Sequence, residues 1–469
     1  MTQLLKLNPA RLSREHRLLA ILIFIATAVY ATYSILRHMH FGSSGYDLGI
    51  FDQAVWHMSR FEAPASTTRN IPNILGDHFY PILFLLAPLY WIYSSPVTLL
   101  IAQAALIASS LIPIFLFIRK RLDFTPTYLL LISYSLFWGI QSALSFDFHE
   151  VAFAVPLIAW AIYAIDSKKW WQYAVCIVLL LLTKENLSFL VVFFGIYLAF
   201  QKQYRIAVAT AVSGVAWFVL ATKVVIPHFA GPGVDYFHWS YSQFGPDALS
   251  ALQTALASPI FTITTLLTPT VKLATGFFTL LPFLFLPLAS PLIVLAIPLI
   301  AERFLSTNPA YWSHGFHYSL ALAPILVMAM ADSLKRLPLQ KFHLHLAVAT
   351  VVVACLILPS RSLWALTSPS FYTKSESDKI GYQALSLIPA NASVTAQNGI
   401  IPHLSQRQHI YVLSNHAPAT DFIIAKSGMG PWPHTEWETI EAYLTTRQTE
   451  GCTKVFAQED WLVFDCRSN

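Results

Sequence analysis

Apolar segments long enough to cross a bilayer recur through most of the sequence, and they constrain the fold more than any other feature. A helix needs about 20 apolar residues to span the hydrocarbon. Charged residues make up 11% of the 469-residue chain, whereas a soluble domain carries about 25%. The sequence therefore predicts an all-α polytopic membrane protein with about eleven transmembrane helices. The predicted spans are 18–36, 97–118, 126–140, 151–165, 170–182, 187–200, 206–226, 270–286, 291–305, 316–331 and 345–358.

The first apolar segment follows a basic stretch, as a secretory signal does. Arg11, Arg14 and Arg17 precede residues 18–36. A signal's apolar region spans about 7–15 residues and ends at a small-residue cleavage site. This segment is longer and runs into Arg37 without such a site. We therefore interpret it as a retained transmembrane helix.

Short basic loops between the spans predict the orientation of the chain, because Lys and Arg concentrate on the cytoplasmic side. Placing all of these loops in the cytoplasm requires a cytoplasmic amino terminus and an exported carboxyl terminus. The apolar stretch 79–93 is then a helix in the membrane interface, since one more crossing would export Arg119 to Arg121. The basic loops are the amino terminus, Arg119 to Arg121, Lys168 with Lys169, Lys202 with Arg205, and Lys335, Arg336 and Lys341.

The composition becomes polar near residue 360, which suggests two domains. Residues 1–359 are predicted to form the transmembrane domain, with outer-face loops at 37–96 and 227–269. Residues 360–469 are predicted to form a small extracytoplasmic α/β domain, with β-prone segments at 392–396, 409–413 and 461–466. Cys452 and Cys466 in this exported region form a disulfide or remain two free thiols.

Unusual polar residues gather on the predicted outer face, where ionisable groups near the membrane are rarely kept without a role. Each also has a plainer reading. An aspartate such as Asp47 or Asp52 often caps a helix. A triplet such as Asp147, His149 and Glu150 chelates a divalent ion or is an ordinary polar loop. The outer-face set is Asp47, Asp52, Asp77, His78, Asp147, His149, Glu150, Lys184, Glu185, Asp235, His238, Glu302, Arg303, His314 and His317.

Two further groups in this set have two readings. Lys184 and Glu185 either neutralise each other at a helix end or hold a phosphate group. His314 and His317 either line a span entrance at the interface or belong to a site. The coincidence of so many polar residues on one face favours a functional site there.

Several motifs along the chain resemble a known family. The first outer loop contains YDLGIFDQ at 46–53 and GDHFYP at 76–81. Further matches are FHE at 148–150, KE at 184–185, residues 291–298, HY at 317–318, IPANASV at 388–394 and PHLS at 402–405. The sequence resembles a prokaryotic family of predicted membrane proteins of unknown function. That family is related to the GT-C superfamily of polyprenyl-phosphate-dependent glycosyltransferases.

The resemblance implies a role for the first outer loop. In GT-C enzymes of the protein mannosyltransferase and aminoarabinose transferase type, this loop carries an acidic pair whose first member is the catalytic base. Asp47 stands in the similar place, but Leu48 follows it, which leaves Asp52 as the substitute second acid. The PLYW sequence at 88–91 resembles the juxtamembrane helix of those enzymes.

The implied reaction transfers a sugar from a polyprenyl-phosphate donor to an unknown cell-envelope acceptor, at the extracytoplasmic face of the cell membrane. A carboxylate deprotonates the acceptor hydroxyl, and cations or a divalent metal stabilise the departing phosphate. The implied catalytic residues are Asp47, Asp52, His149 and Glu150. The implied substrate-binding residues are Asp77, His78, Asp147, Lys184, Glu185, Arg303, His314 and His317, of which Lys184, Arg303 and His317 face the phosphate.

Two other classes of membrane protein fit parts of this pattern. A transporter or flippase of a lipid-linked or small polar solute also places charges near the membrane surface, but the sequence has no second copy of its motifs as an inverted repeat would. An assembly protein with an exported binding domain leaves the clustered outer-face acids unexplained. The formal net charge of +5 is spread over short loops, which argues against nucleic acid as a partner.

Overall fold

Apolar helices make up most of the protein, which we describe from a computed structural model covering residues 9–231, 236, 238–356, 361–434 and 436–467. The helices before residue 231 are Pro9–Met39, Ile50–Ser59, Ala87–Tyr90, Pro96–Ser109, Leu111–Ile118, Phe124–Ser135, Trp138–Ser145, Ala154–Asp166, Trp170–Leu181, Leu187–Phe200, Tyr204–Leu220 and Ile226–Ala230. Those after it are Ala248–Ala257, Pro259–Leu267, Thr270–Leu280, Ala296–Leu305, Pro309–Trp312, Leu322–Arg336, His343–Leu356, Glu376–Ser386 and Trp437–Thr449.

Five helical stretches within the described residues are long and apolar enough to cross a membrane. They are Arg14–Met39, Pro96–Ile118, Phe124–Ser145, Tyr204–Ala230 and His317–Arg336. The other six predicted crossings coincide with helices of 10 to 14 residues. The total of eleven crossings and their orientation therefore stay predictions.

The helix Tyr204–Leu220 carries an exposed apolar surface of the kind that contacts lipid. Val208, Val212, Val215 and Val219 are all more than half exposed along one side of it. Residues four and seven apart share a helix face, so these side chains form a continuous apolar stripe. Such a stripe is unfavourable in water and suits contact with hydrocarbon.

The region 281–295 departs from the continuous helices that the sequence predicts. Helix Thr270–Leu280 gives way to short 3₁₀ turns, and Leu284 and Phe285 have positive φ angles of 53° and 58°. Prolines at 282, 287 and 291 explain the break, because each lacks the N–H that a helix hydrogen bond requires.

Two segments that the sequence excludes from the crossings are helical but short or bent. Within 79–93, the 3₁₀ helix Pro81–Leu86 continues into helix Ala87–Tyr90. These ten residues are about half the length that a crossing needs. In the predicted outer loop 227–269, helices Ala248–Ala257 and Pro259–Leu267 are apolar and meet at 103°, as in a broken span or a re-entrant loop.

The carboxyl-terminal region forms a small α/β unit, as predicted. Its strands are β1 (Val394–Ala396), β2 (Ile410–Val412), β3 (Phe422–Lys426), β4 (Thr453–Gln458) and β5 (Trp461–Asp465), in the sheet order β2-β1-β3-β5-β4. Strands β1, β2 and β3 are parallel, and β5 is antiparallel to both β3 and β4. Cys452 and Cys466 are joined by a disulfide.

This unit packs directly on the loop 37–96, which we call the first long loop, through Gly45 and Gly49 at the YDLGIFDQ motif. A Cβ atom on Gly45 would lie 2.7 Å from Cβ of Ile401, and one on Gly49 would lie 2.8 Å from its Cγ2. Real Cβ atoms do not approach so closely, so both positions require glycine. The amide N–H of Gly45 also donates to the carbonyl of Asn398.

Ion pairs gather several basic loops at one end of the helix bundle, which we call the basic end. Arg119 pairs with Glu15 in the first helix, with Nε 3.0 Å from Oε2. Arg121 pairs with Asp166 at 2.5 Å and with Asp332 at 3.5 Å. The loops that the sequence assigns to one side of the membrane therefore do lie together.

Candidate functional site

A cavity of about 390 Å³ lies among residues that the sequence assigns to the outer face, and we call it the charged cavity. Apolar side chains from helices Leu187–Phe200, Ala248–Ala257 and Ala296–Leu305 form part of its wall. Its polar lining residues are His78, Glu150, Lys184, Glu185, Asn186, Tyr236, His238, Ser240, Tyr241, Glu302, Arg303, Tyr311, His317 and Tyr318. Six of the twelve predicted site residues are in this lining.

An ion pair with a buried carboxylate stands at the wall of the charged cavity. Nζ of Lys184 lies 2.9 Å from Oε1 of Glu150, whose side chain is 1% exposed. Burial alone would lower the pKa of Lys184, but the neighbouring carboxylates of Glu150 and Glu185 outweigh it and raise that pKa. Lys184 is therefore a fixed cation, and Oε2 of Glu150 has no hydrogen-bond partner among the described residues.

Two histidines connect Asp47 to the charged cavity. It sits in the π-helical turn Gly45–Gly49, and its Oδ1 lies 3.3 Å from Nε2 of His149. The ring of His149 stacks on His317 with centroids 3.7 Å apart. Since His317 lines the charged cavity, the three side chains connect the first long loop to it.

The loop carrying His149 is held by a glutamine that the sequence analysis missed. Gln103 donates from Nε2 to the carbonyl of Asp147 at 2.7 Å and accepts from the amide of His149 at 3.0 Å. Asp147 has a φ of 62°, a conformation that costs a non-glycine residue free energy. Its carboxylate receives Arg37 at 2.5 Å and the amide of Ser44 at 2.8 Å, so Asp147 links two loops.

Asp77 and His78 meet the long loop 227–269. Oδ1 of Asp77 accepts from Nε2 of His238 at 2.8 Å, and the rings of His78 and His238 stack at 3.6 Å. Nδ1 of His78 lies 2.6 Å from Oε1 of Glu185. Burial raises the pKa of Glu185, but His78 and Lys184 outweigh that effect and lower it to about 2.

Arg303 lies in the cavity wall with its guanidinium already engaged. Nε donates to the carbonyl of Tyr311, Nη1 to Oγ of Ser319, and Nη2 to the carbonyl of Ser313. The neighbouring Glu302 accepts from Asn186 at 2.5 Å. Arg303 therefore orders the wall and contributes a positive field, whereas Lys184 is held by a single ion pair.

Asp52 and His314 are two further predicted site residues outside the cavity lining. Asp52 is fully buried where the first loop meets the carboxyl-terminal unit, and it accepts from Tyr90, Ser405 and Gln406. Burial raises the pKa of Asp52 to about 6, against those hydrogen bonds. The backbone carbonyl of His314 accepts from the hydroxyl of Ser142. The His314 imidazole packs edge-on against the ring of Trp138, with the two ring centroids 6.3 Å apart.

The triplet Asp147, His149 and Glu150, which the sequence offered as a chelate, has its side chains directed to different partners. Asp147 pairs with Arg37, His149 with Asp47, and Glu150 with Lys184. Asp235, which the sequence also assigns to the outer face, lies outside the described part of the chain.

Sequence reasoning also missed three tyrosines of the cavity wall, Tyr236, Tyr241 and Tyr311. A fourth, Tyr318, belongs to the HY motif at 317–318. Tyr236 donates to Glu185 at 3.0 Å, and Tyr241 donates to the carbonyl of Glu302. Aromatic residues make up 14% of the chain, so no sequence signal separates the three missed tyrosines from the rest.

Comparison with solved structures identifies the fold. Over 96% of this chain and 98% of the other, the structure is similar to the crystal structure of ArnT from Cupriavidus metallidurans bound to undecaprenyl phosphate, with a TM-score of 0.53 and 12% identity. The same protein in the apo state gives 0.53 and 12% over 95% and 97%. ArnT is a GT-C glycosyltransferase. Because the similarity extends over nearly the whole of both chains, this chain has an ArnT-like fold.

Comparison at the level of sequence gives the family. No curated protein matches the chain. Residues 37–458 match the model of a family described as predicted membrane protein (DUF2079). That match includes all twelve predicted site residues and most of the carboxyl-terminal unit. The chain therefore belongs to the DUF2079 family of predicted membrane proteins.

Proposed function

We propose that the protein is a membrane glycosyltransferase that moves a sugar from a polyprenyl-phosphate donor to an acceptor on the extracytoplasmic face. The observation that carries the proposal is the Glu150–Lys184 pair at the wall of a cavity in an ArnT-like fold, to which His149 and His317 connect Asp47. The undecaprenyl phosphate held by ArnT supports a polyprenyl phosphate as the ligand here.

Asp47 acts as the general base. Its side chain is 18% exposed, so an acceptor hydroxyl can approach it and lose its proton to the carboxylate. The acceptor oxygen then bonds to the anomeric carbon as the bond from that carbon to the phosphate oxygen breaks. His149 accompanies Asp47 and is oriented by Gln103 at its backbone amide.

The polyprenyl phosphate leaves with the bonding electron pair, and its negative charge needs stabilisation. Lys184 supplies a cation at the cavity wall, with Arg303 and His317 nearby in the same lining. A fixed cation in a site with little water stabilises developing charge more than it would in solution. Asp77, His78, Asp147, Glu185 and His314 shape the surroundings of this site.

The orientation is part of the proposal. The charged cavity belongs to loops that the sequence assigns to the outer face, and the basic end gathers the loops assigned to the cytoplasm. Membrane lipids surround the exposed apolar helices, and the prenyl chain of the donor lies among the apolar wall residues. Residues 1–359 then form the catalytic membrane domain, and residues 360–469 cover its first loop.

Transfer by the reconstituted protein tests the proposal. Proteoliposomes are incubated with radiolabelled polyprenyl-phosphate sugars and cell-envelope acceptors, and the labelled product is measured. Asp47→Asn should lower transfer by about 10²- to 10⁴-fold, the usual contribution of a general base. Asp166→Asn at the basic end is the matched control and should retain activity.

Two outcomes contradict the proposal in different ways. Full transfer by Asp47→Asn removes the assignment of the base. Movement of the labelled lipid across the bilayer without any sugar transfer supports the alternative class, a flippase.

A further inference from the structure

Among the residues that the structure describes, three pairs of histidine rings stack, and one of them has the surroundings of a metal site. The pairs are His38 with His403, His149 with His317, and His78 with His238. In the third pair, one nitrogen of each ring and a carboxylate oxygen of Asp77 all lie within 4.8 Å of one another. Within the described part of the chain, no other three His, Cys, Asp or Glu residues meet that criterion.

The spacing is close to that of a coordinated ion. Two imidazoles and one carboxylate are a ligand set that Zn²⁺ accepts, with bonds of about 2.0–2.2 Å. Tetrahedral ligands at that distance lie about 3.3–3.5 Å from one another. Oδ1 of Asp77 and Nε2 of His238 are already 2.8 Å apart, so side-chain adjustments of about an ångström bring the three atoms around one ion.

Glu185 supplies the partner that metal-binding histidines usually have. It is fully buried, and its Oε1 lies 2.6 Å from Nδ1 of His78. Its other oxygen accepts from the amide of Phe79 at 3.0 Å, which fixes the carboxylate. A proton on Nδ1 leaves Nε2 of His78 with a free lone pair, the arrangement found around many zinc ligands.

We propose that Asp77, His78 and His238 bind a zinc ion, with Glu185 orienting His78. The ion replaces the hydrogen bond between His238 and Asp77 and joins the first long loop to the loop 227–269. One position remains for water or for an oxygen of a ligand in the charged cavity, which His78 and His238 both line. Arg69, with Nη2 3.5 Å from Oδ1 of Asp77, turns away as the ion takes its place.

Metal content of the purified full-length protein tests the proposal without reference to transfer activity. The affinity tag is removed, the protein is stripped with a chelator in detergent, and Zn²⁺ is returned by dialysis. Mass spectrometry should find about one zinc per chain, and His238→Gln and Asp77→Asn should hold less than about a fifth of that, since each removes one of three protein ligands. Glu185→Gln should weaken zinc affinity about 10- to 100-fold, as loss of an outer-shell partner does.

His38→Gln is the matched control, because His38 stacks on His403 at 4.1 Å and bonds Ser43 instead of a carboxylate. It should retain the full zinc content. Size-exclusion profiles identify any variant that fails to fold, and a zinc titration of the stripped wild-type chain stands independently of the variants. Wild-type protein that binds no zinc, or zinc that persists equally in His238→Gln and Asp77→Asn, would overturn the proposal.

Discussion

The two ends of the helix bundle both carry charged pairs, but they use them differently. At the basic end, Lys120 and Asp166 lie 2.9 Å apart with side chains 29% and 20% exposed. At the charged cavity, Lys184 and Glu150 lie equally close, but the Lys184 side chain is 19% exposed and the Glu150 carboxylate only 1%. Equal distances therefore conceal a large difference in solvation.

That difference separates a topological role from a chemical one. An exposed pair gains little because water screens it, about 0–1 kcal/mol. A buried pair leaves an uncompensated charge when one partner is removed, at a cost of about 3–5 kcal/mol. The protein therefore maintains the Glu150–Lys184 pair at a desolvation cost, which is typical of a site that acts on charge.

Lys184→Met should have the largest effect. It removes the proposed phosphate cation and leaves Glu150 and Glu185 buried without it, so unfolding free energy should fall by about 3–5 kcal/mol. Thermal unfolding in nanodiscs measures this. If Lys184→Met unfolds at the wild-type temperature, the Glu150–Lys184 pair does not differ from the exposed pairs of the basic end in its contribution to stability.

Asp52→Asn should change the pH dependence of stability. The pKa of Asp52 is raised to about 6 from 3.8, so between pH 4 and 6 the folded state holds a proton that the unfolded state has lost. Wild-type stability should therefore fall by about 2–3 kcal/mol as pH rises through that window, and Asp52→Asn should remove the slope.

Asp378→Asn is the control of opposite sign. Burial raises the pKa of Asp378, but bonds from Ser375 and His40 outweigh it and lower that pKa. The contribution of Asp378 to folding stability is therefore present above pH 4 and is lost only below it. A wild-type slope between pH 4 and 6 that survives Asp52→Asn unchanged would show that other groups produce it.

Gln103→Leu should cost less stability but affect the site. It leaves the carbonyl of Asp147 and the amide of His149 buried without their partner, which should lower the free energy of unfolding by about 1–3 kcal/mol. Transfer should drop about tenfold in kcat with little change in KM, because the glutamine orients His149 and touches no substrate. A change confined to KM would contradict this positioning role.

Lys120→Met at the basic end should have the smallest effect. Unfolding free energy should change by about 0–1 kcal/mol, and the change should shrink further in high salt. Transfer should stay at the wild-type rate. A loss as large as that of Lys184→Met would remove the distinction between the two ends.

The sequence predicts which residues share the face of the charged cavity better than it predicts which of them contact one another. Asp47, Glu150 and Lys184 each lie near the end of an apolar segment. The charge of the loops therefore assigns all three to one face of the membrane. The helix count is less predictable, because prolines at 282, 287 and 291 divide apolar stretches that composition reads as continuous.

Long-range partners account for the rest. His238 meets Asp77 across 161 residues, and Ser405 meets Asp52 across 353. Gln103 lies within helix Pro96–Ser109, where a lone glutamine gives no sign that it bonds the loop at 147–149. Such contacts depend on how the helices and the carboxyl-terminal unit pack, and no local pattern encodes that.

Photocrosslinking tests most directly whether the charged cavity holds the lipid phosphate. A polyprenyl phosphate with a diazirine near its phosphate is irradiated with the full-length protein in nanodiscs, and labelled residues are mapped by mass spectrometry. We predict labels on Tyr241, Tyr311 and Tyr318, competed by undecaprenyl phosphate and lowered about tenfold in Lys184→Met but not in Lys120→Met, a loss of about 1.4 kcal/mol of binding. Labels confined to the basic end, or equal labelling of both variants, would contradict the account.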